Sequence, residues 1–318
     1  MGTATTLRPR RTGEPVRAAR PRRWRGEAIW GYLFLAPWFT GLVMLSAGPV
    51  LYSLYLSFTD FDLLSPPTWT GTGNYVEMFT DDNRFWQSAS VTVTYAGLAV
   101  PLKLALAVGV AMVLNRGLRG LGLYRAVFYL PSLLGGSVAI AVMWRQLFGD
   151  QGLFNKFLGL FGLPGYAWIS EPDTSLGTLV VLAAWQFGTP MVIFLAGLKQ
   201  LPHDVYEAAE VDGAGPWTKF WRITVPLLSP IIFFNLVLEI INTFQSFTSA
   251  FVVSGGTGGP VDSTLLYTLY LYKKGFADLD MGYAAAMAWV LFAIIAGLTT
   301  VNFVASRYWV HYEDGKGA

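Results

Sequence analysis

The chain has 318 residues, 53% of them hydrophobic and only 13% charged, with a mean hydropathy of +0.45. That balance lies far outside the range of soluble domains and reads as an integral membrane protein. The net charge of +2 implies no nucleic-acid partner, the absence of cysteine removes disulfides and thiolate chemistry, and two histidines, His203 and His311, leave no imidazole-rich metal centre.

Residues 1–25 carry eight arginines against one acid, Glu14, and almost no large apolar side chain before Trp24. This reads as a disordered basic cytoplasmic tail, a topology signal rather than an RNA-binding arm, because no aromatics interleave the arginines. The apolar run from Ile29 to Phe58 is too long for a signal-peptide core and has no persuasive small-residue cleavage site, so it is expected to be a retained transmembrane helix. Five further spans follow near residues 88–114, 121–148, 176–199, 223–253 and 283–307. Lysine and arginine alternate in richness from loop to loop, which puts both termini in the cytoplasm. The expected fold is all-α: a six-helix transmembrane domain over residues 26–310, a cytoplasmic loop at 200–226 and a short cytoplasmic tail at 311–318.

Asp60 to Gln87 holds Pro66-Pro67 and Gly73-Asn74-Tyr75, turn chemistry expected over the outer face. The glycine-rich run Ser254 to Pro260 invites a phosphate-cradle reading, which fails. A nucleotide loop needs a lysine and a hydroxyl at a helix mouth, and here proline follows the glycines with no lysine before Lys273. No other segment supplies a nucleotide motif, so the chain is expected neither to hydrolyse ATP nor to be an enzyme, and it implies no cofactor.

An ionisable residue at mid-bilayer costs about 2.5 to 3.5 kcal/mol on insertion scales and calls for a partner or a watery path. Glu239 and Lys103 are the two clear cases. With 100° per residue, Asn235, Glu239, Asn242, Ser246 and Ser249 share one face of the fifth helix. That face either packs on a neighbouring helix or lines a path for a polyhydroxylated solute. Trp185, Gln186 and Thr189 form a smaller cluster before Pro190, where an aromatic face beside an amide suits a sugar ring and a structural tryptophan suits the pattern equally well. Lys103 pairs with Glu239 or faces a wet cavity; both arrangements fit the sequence.

The longest polar interruption in the C-terminal half runs from Glu207 to Pro230. Asp204 with Glu207 has capping-box spacing, Gly213 is placed to end a helix in a left-handed turn, and Gly215-Pro216 starts a second helix that runs from Trp217 to Thr224 until Pro226 bends it. Glycine stands four residues after Ala209 and isoleucine ten after the glycine. Glu207-Ala208-Ala209, Asp212-Gly213-Ala214, Phe220, Ile223, Pro226 and Pro230 resemble the EAA loop of membrane permeases of binding-protein-dependent ABC importers, with Val225 in place of the usual leucine. The resemblance covers Trp30 to Tyr308. Gly73-Asn74-Tyr75, Tyr129-Leu130-Pro131 and the Ser254 to Phe276 segment are similar to the carbohydrate-uptake branch, whose permeases carry maltose, oligosaccharides or glycerol phosphate.

That resemblance implies a type I-like permease in a bacterial cytoplasmic membrane, importing a sugar or oligosaccharide by alternating access. Its implied partners are a second, homologous permease, two copies of a cytoplasmic ABC ATPase and an extracytoplasmic solute-binding protein. Glu207, Ala208, Ala209, Asp212, Gly213 and Ala214 would form the coupling helix on the ATPase, with Glu207, Glu210 and Asp212 meeting basic residues there. Trp185, Gln186, Thr189, Asn235, Glu239, Asn242 and Ser246 would flank the solute path. Import of another polar solute such as glycerol phosphate is the alternative. A stand-alone secondary transporter fits less well, since no internal repeat accompanies the single carboxylate.

Overall fold

The computed structural model describes Gly2, residues 24–117 and residues 119–311. Most of the basic tail at 1–25, and residues 312–318 of the C-terminal tail, lie outside the described residues. The chain divides into two units, Met1–Tyr52 and Ser53–Ala318. The first is helical: α1 (Trp24–Leu42) passes through a π turn at Val43–Ala47 into α2 (Gly48–Leu56), which ends in the second unit. Gly31–Leu56 is apolar and long enough to cross a bilayer.

The second unit begins with a short hairpin, β1 (Thr59–Asp60) antiparallel to β2 (Thr68–Trp69), and α3 (Gly73–Thr80). Asn74 explains the Gly-Asn-Tyr motif, since its Nδ2 donates to the carbonyls of Ser57 and Thr59, both at 3.0 Å, while the Tyr75 hydroxyl donates to Ser57 Oγ. Then come α4 (Asn83–Leu114), α5 (Leu121–Leu134), α6 (Val138–Phe148), α7 (Leu153–Leu160), α8 (Pro172–Trp185) and α9 (Gly188–Leu198). The polar corner is α10 (His203–Val211) and α11 (Pro216–Lys219), followed by α12 (Val225–Phe244), α13 (Thr248–Val253), α14 (Tyr267–Tyr272) and α15 (Met281–Trp309).

Among the described residues four unbroken helices are long and apolar enough to span a membrane: Gly31–Leu56, Asn83–Leu114, Pro216–Phe244 and Met281–Trp309. Two bent pairs bring the number to six if each is one crossing. The protein is an all-α membrane protein, as expected, but three spans depart from the straight helices read in the sequence. The third breaks between Leu134 and Val138 with a bend of 98°, and the fourth kinks by 42° after Trp185. The fifth ends at Phe244 rather than near 253, because the chain leaves the helix at Gln245 before α13 resumes.

α4 is the central strut, packed along α8, α9 and α12. Its Ala99, Ala107 and Ala111 are fully buried, small side chains that let neighbouring backbones approach. Gly188 does the same on α9: a Cβ there would come within 2.5 Å of the Phe128 carbonyl on α5. At the end away from the corner, Arg84 pairs with Asp262 at 2.8 Å and Asp82 caps α4. The segment from Leu265 to Tyr270 is wedged between α4 and α15, with the Tyr267 amide donating to Thr92 Oγ1 and its hydroxyl to the Met287 carbonyl.

Candidate functional site: the polar corner and the helix it carries

The α10 helix ends as its glycine demands. Gly213 has φ +76°, a left-handed conformation that costs an L-residue with a Cβ roughly 1–2 kcal/mol. Its N–H donates to the Glu210 carbonyl and that of Ala214 to the Ala209 carbonyl at 2.9 Å, the paired bonds of a Schellman motif. Gly215 then caps α11 with Pro216 in its first turn, the start read from the sequence. The capping box does not form. Pro202, already extended at φ −65° and ψ 125°, is the N-cap, so the helix begins at His203 and Asp204 falls inside its first turn. There its charge still complements the helix dipole.

Nor does Pro226 bend the chain. Proline has no N–H to give to the carbonyl four residues back, and the strain is absorbed by a π turn at Phe220–Thr224, closed by the Val225 N–H on the Phe220 carbonyl. Pro216–Phe244 is therefore one 29-residue helix. Pro230 orphans the Pro226 carbonyl in the same way, and Ser229 Oγ donates to that oxygen at 2.6 Å. Ser229 Oγ in turn accepts the His311 N–H at 2.8 Å, so the end of α15 grips the stem.

Two side-chain bonds fold the corner back on itself. The Tyr206 and Thr224 hydroxyls lie 2.9 Å apart, and Lys219 Nζ donates to Glu210 Oε1 at 2.6 Å. Lys219 holds the Glu210 carboxyl below the usual carboxylate range. Glu210, expected to face a partner's basic residues, is thus engaged within the chain. Glu207, Ala208 and Asp212 are exposed, while Ala209 and Ala214 are half-buried against the corner. The outward face combines these carboxylates with small side chains and the large exposed Val211, Trp217 and Trp221.

The residues expected to flank a solute path divide into two groups. On α12, Glu239 is 6% exposed and its Oε2 accepts from Lys103 Nζ on α4 at 2.8 Å, which settles the choice the sequence left open. Asn235 is buried and donates to the Ile231 carbonyl of its own helix, whereas Asn242 is exposed. Ser246 and Ser249 lie past the helix end, so the shared face read at 100° per residue stops at Phe244. Their hydroxyls lie 3.5 Å apart.

On the other side, the α8–α9 kink meets the α5–α6 break. Gln186 Nε2 donates to the Gly135 carbonyl, while Ser132 Oγ donates to the Gln186 carbonyl at 2.8 Å and accepts the Thr189 N–H at 3.0 Å. Each break thus satisfies the backbone groups exposed by the other, as apolar surroundings require. Trp185 packs against Trp144 with ring centroids 5.9 Å apart, and the Thr189 side chain is exposed. Ser132 and Gly135 have no counterpart in the sequence reading. A serine and a glycine flanking Pro131 in an apolar run were the available signal.

The glycine-rich loop is no anion cradle. The N–H groups of Gly255 and Gly256 go to the Val252 and Phe251 carbonyls, and those of Gly258 and Gly259 to the Ser254 and Thr257 hydroxyls.

Residues 78–310 match the family model described as the binding-protein-dependent transport system inner membrane component. A probable ABC transporter permease protein, YesP of Bacillus subtilis, is 48% identical over 291 residues, 91% of this chain and 94% of that protein. The lactose transport system permease protein LacF of Rhizobium radiobacter is 32% identical, over 87% of this chain and 94% of its own length. The trehalose/maltose transport system permease protein MalF of Thermococcus litoralis is 30% identical, over 89% and 95%. Among solved structures, a chain of a bacterial alginate ABC transporter, crystallised with its alginate pentasaccharide-bound periplasmic protein, superposes with a TM-score of 0.75. At 19% identity it covers 91% of this chain and 98% of its own, a likeness of fold.

Proposed function

Because the chain belongs to the family of binding-protein-dependent transport system inner membrane components, we propose that it is the membrane permease subunit of an ATP-driven importer of sugars or oligosaccharides. The permeases for lactose and for trehalose and maltose that it resembles over nearly its whole length support the substrate class. The chain itself is a membrane permease and not an ATPase. Hydrolysis takes place on two copies of a cytoplasmic partner, a second permease completes the translocation path, and an external binding protein delivers the solute.

The observation that carries the coupling role is the corner's build. A short helix closed by Gly213 is tied through Glu210–Lys219 and Tyr206–Thr224 to the next one, which runs from Pro216 to Phe244 as a single helix containing α12. Displacement of α10 by an ATPase is therefore delivered to the helix that bears Glu239 and Asn242. Glu207, Ala208, Ala209, Asp212, Gly213 and Ala214 form the docking surface. Glu239 and Asn242 contact the solute from α12, and Gln186 and Thr189 from the α8–α9 kink; Trp185, Asn235 and Ser246 support them through packing and hydrogen bonds. The corner faces the cytoplasm of a bacterial cell, as do both termini.

Reconstitution tests this reading. The chain, its partner permease and the ATPase in proteoliposomes should accumulate sugar only with ATP and binding protein present. Accumulation by the chain without any ATPase would overturn the importer assignment.

A further inference from the structure

At the end of the molecule away from the corner, a cleft of 520 Å³ opens between the connection that leads from α6 to α8 and the glycine-rich loop after α13. The volume falls within the range of about 300–1,000 Å³ found for small-molecule sites. Six polar side chains line it. Those of Ser254 and Thr257 are bonded within the glycine-rich loop, whereas Arg145, Gln146, Asp150 and Ser170 make no side-chain hydrogen bond or ion pair among the described residues. Ile169, Val253 and Pro260 supply apolar wall between them.

The walls are fixed although these groups are free. Asn155 organises the first wall: its Nδ2 donates to the Asp150 and Tyr166 carbonyls, and its Oδ1 accepts from the Tyr166 N–H and from Trp168 Nε1 at 2.7 Å. The second wall is held by Lys273 Nζ on the Thr257 carbonyl, by Arg84 on Asp262, and by the Ser175 and Ser263 hydroxyls 2.7 Å apart. A preformed cleft with unengaged donors and acceptors loses little ordering entropy on binding.

We infer that this cleft is a saccharide subsite on the outer face, taking a neutral disaccharide before it reaches the membrane path; the inference rests on the importer reading above. Guanidinium, amide, carboxylate and hydroxyl together match a ring whose hydroxyls both donate and accept, and the apolar wall suits its C–H face. A phosphate or sulfonate fits worse. The single cation is opposed by Asp150, and the loop N–H groups that would hold an anion are already bonded within the loop.

The test uses the assembled transporter in nanodiscs without binding protein, with radiolabelled lactose, maltose and trehalose, and glycerol 3-phosphate as the charged control. The wild type should retain at least one disaccharide and not the phosphate, and Arg145→Ala/Asp150→Ala should weaken retention about tenfold. Because the chain lacks cysteine, Ser170→Cys gives this chain a single label site, followed on its own band after electrophoresis, and the retained disaccharide should slow its modification by a maleimide. Retention of none of the three, equal retention by wild type and double variant, or a Ser170→Cys label rate unmoved by sugar overturns the subsite. A double variant that keeps its sugar but loses affinity for binding protein also overturns it and assigns the cleft to docking. Uptake in proteoliposomes is measured in parallel, so a transporter that accumulates sugar while its cleft is empty sinks this inference and leaves the importer reading standing.

Discussion

Lys103 on α4 and Glu239 on α12 are joined by a 2.8 Å ion pair whose side chains are only 16% and 8% exposed. Neither charge is tolerable alone at that depth, and together they pin the central strut to the helix that rises from the corner. Removing one partner of such a pair costs about 3–5 kcal/mol, whereas replacing both by apolar groups is often neutral. Lys103→Met should accordingly lower stability in detergent by about that amount, and Lys103→Met/Glu239→Leu should recover most of it. Denaturant unfolding of the three proteins measures both steps, and a double variant no better than the single would remove the pair from this role.

Asn242 separates the path from the packing reading more cleanly than Glu239, because it is exposed and its side chain makes no hydrogen bond among the described residues. Asn242→Ala should leave unfolding unchanged and reduce sugar uptake several-fold while the ATPase stays bound. Uptake equal to wild type, measured in proteoliposomes at limiting sugar, returns the face to packing.

At the corner, a Cβ on Gly213 meets no atom within 4 Å, so the cost of substitution there is conformational. Gly213→Ala should cost about 1 kcal/mol and retain partial coupling. Gly213→Pro also removes the N–H that bonds the Glu210 carbonyl, and it should abolish ATPase stimulation by loaded binding protein while the chain still inserts. Glu207→Lys should uncouple with α10 intact. Stimulated and basal ATPase rates of the reconstituted complex decide each case.

Pro202 and the π turn displaced the expected Asp204 cap and Pro226 bend, but the Gly213 turn and the Gly215-Pro216 helix start were legible, because glycine and proline set backbone geometry locally. The bends within the spans were not. Periodicity counts apolar residues and is blind to whether a run continues straight, so the 98° break in the third span passed as one helix. What stabilises that break is the bond from Ser132 Oγ to the Gln186 carbonyl and that from Gln186 Nε2 to the Gly135 carbonyl, between residues more than fifty positions apart. The same limit carried the α12 polar face on to Ser246 and Ser249, which lie beyond the helix end at Phe244. Asp82 escaped notice for a related reason. An aspartate before a helix reads as a cap, but its tyrosine partners lie about two hundred residues further on, in α14 and the first turn of α15.

That aspartate carries the last prediction. Asp82 Oδ1 accepts the Arg84 and Phe85 N–H groups, and Oδ2 accepts the Tyr270 and Tyr283 hydroxyls, joining the start of α4 to α14 and α15. Partial burial disfavours the charge, but the two hydroxyls, the Phe85 N–H and nearby Lys274 outweigh it and hold the carboxyl below its ordinary range. A carboxylate depressed in the folded state adds stability above its unfolded pKa, about 3.9 for aspartate, and that stability is lost as pH falls through the folded value. Asp82→Asn should therefore cost about 1–2 kcal/mol at neutral pH, allowing for the water that reaches the site. The gap between variant and wild type should narrow below about pH 3.9. Hydrogen exchange in the Leu265 to Tyr272 segment should rise in the variant at pH 7 and converge with the wild type in acid; a gap that does not change with pH would show that the carboxylate charge is not what holds α14 in place.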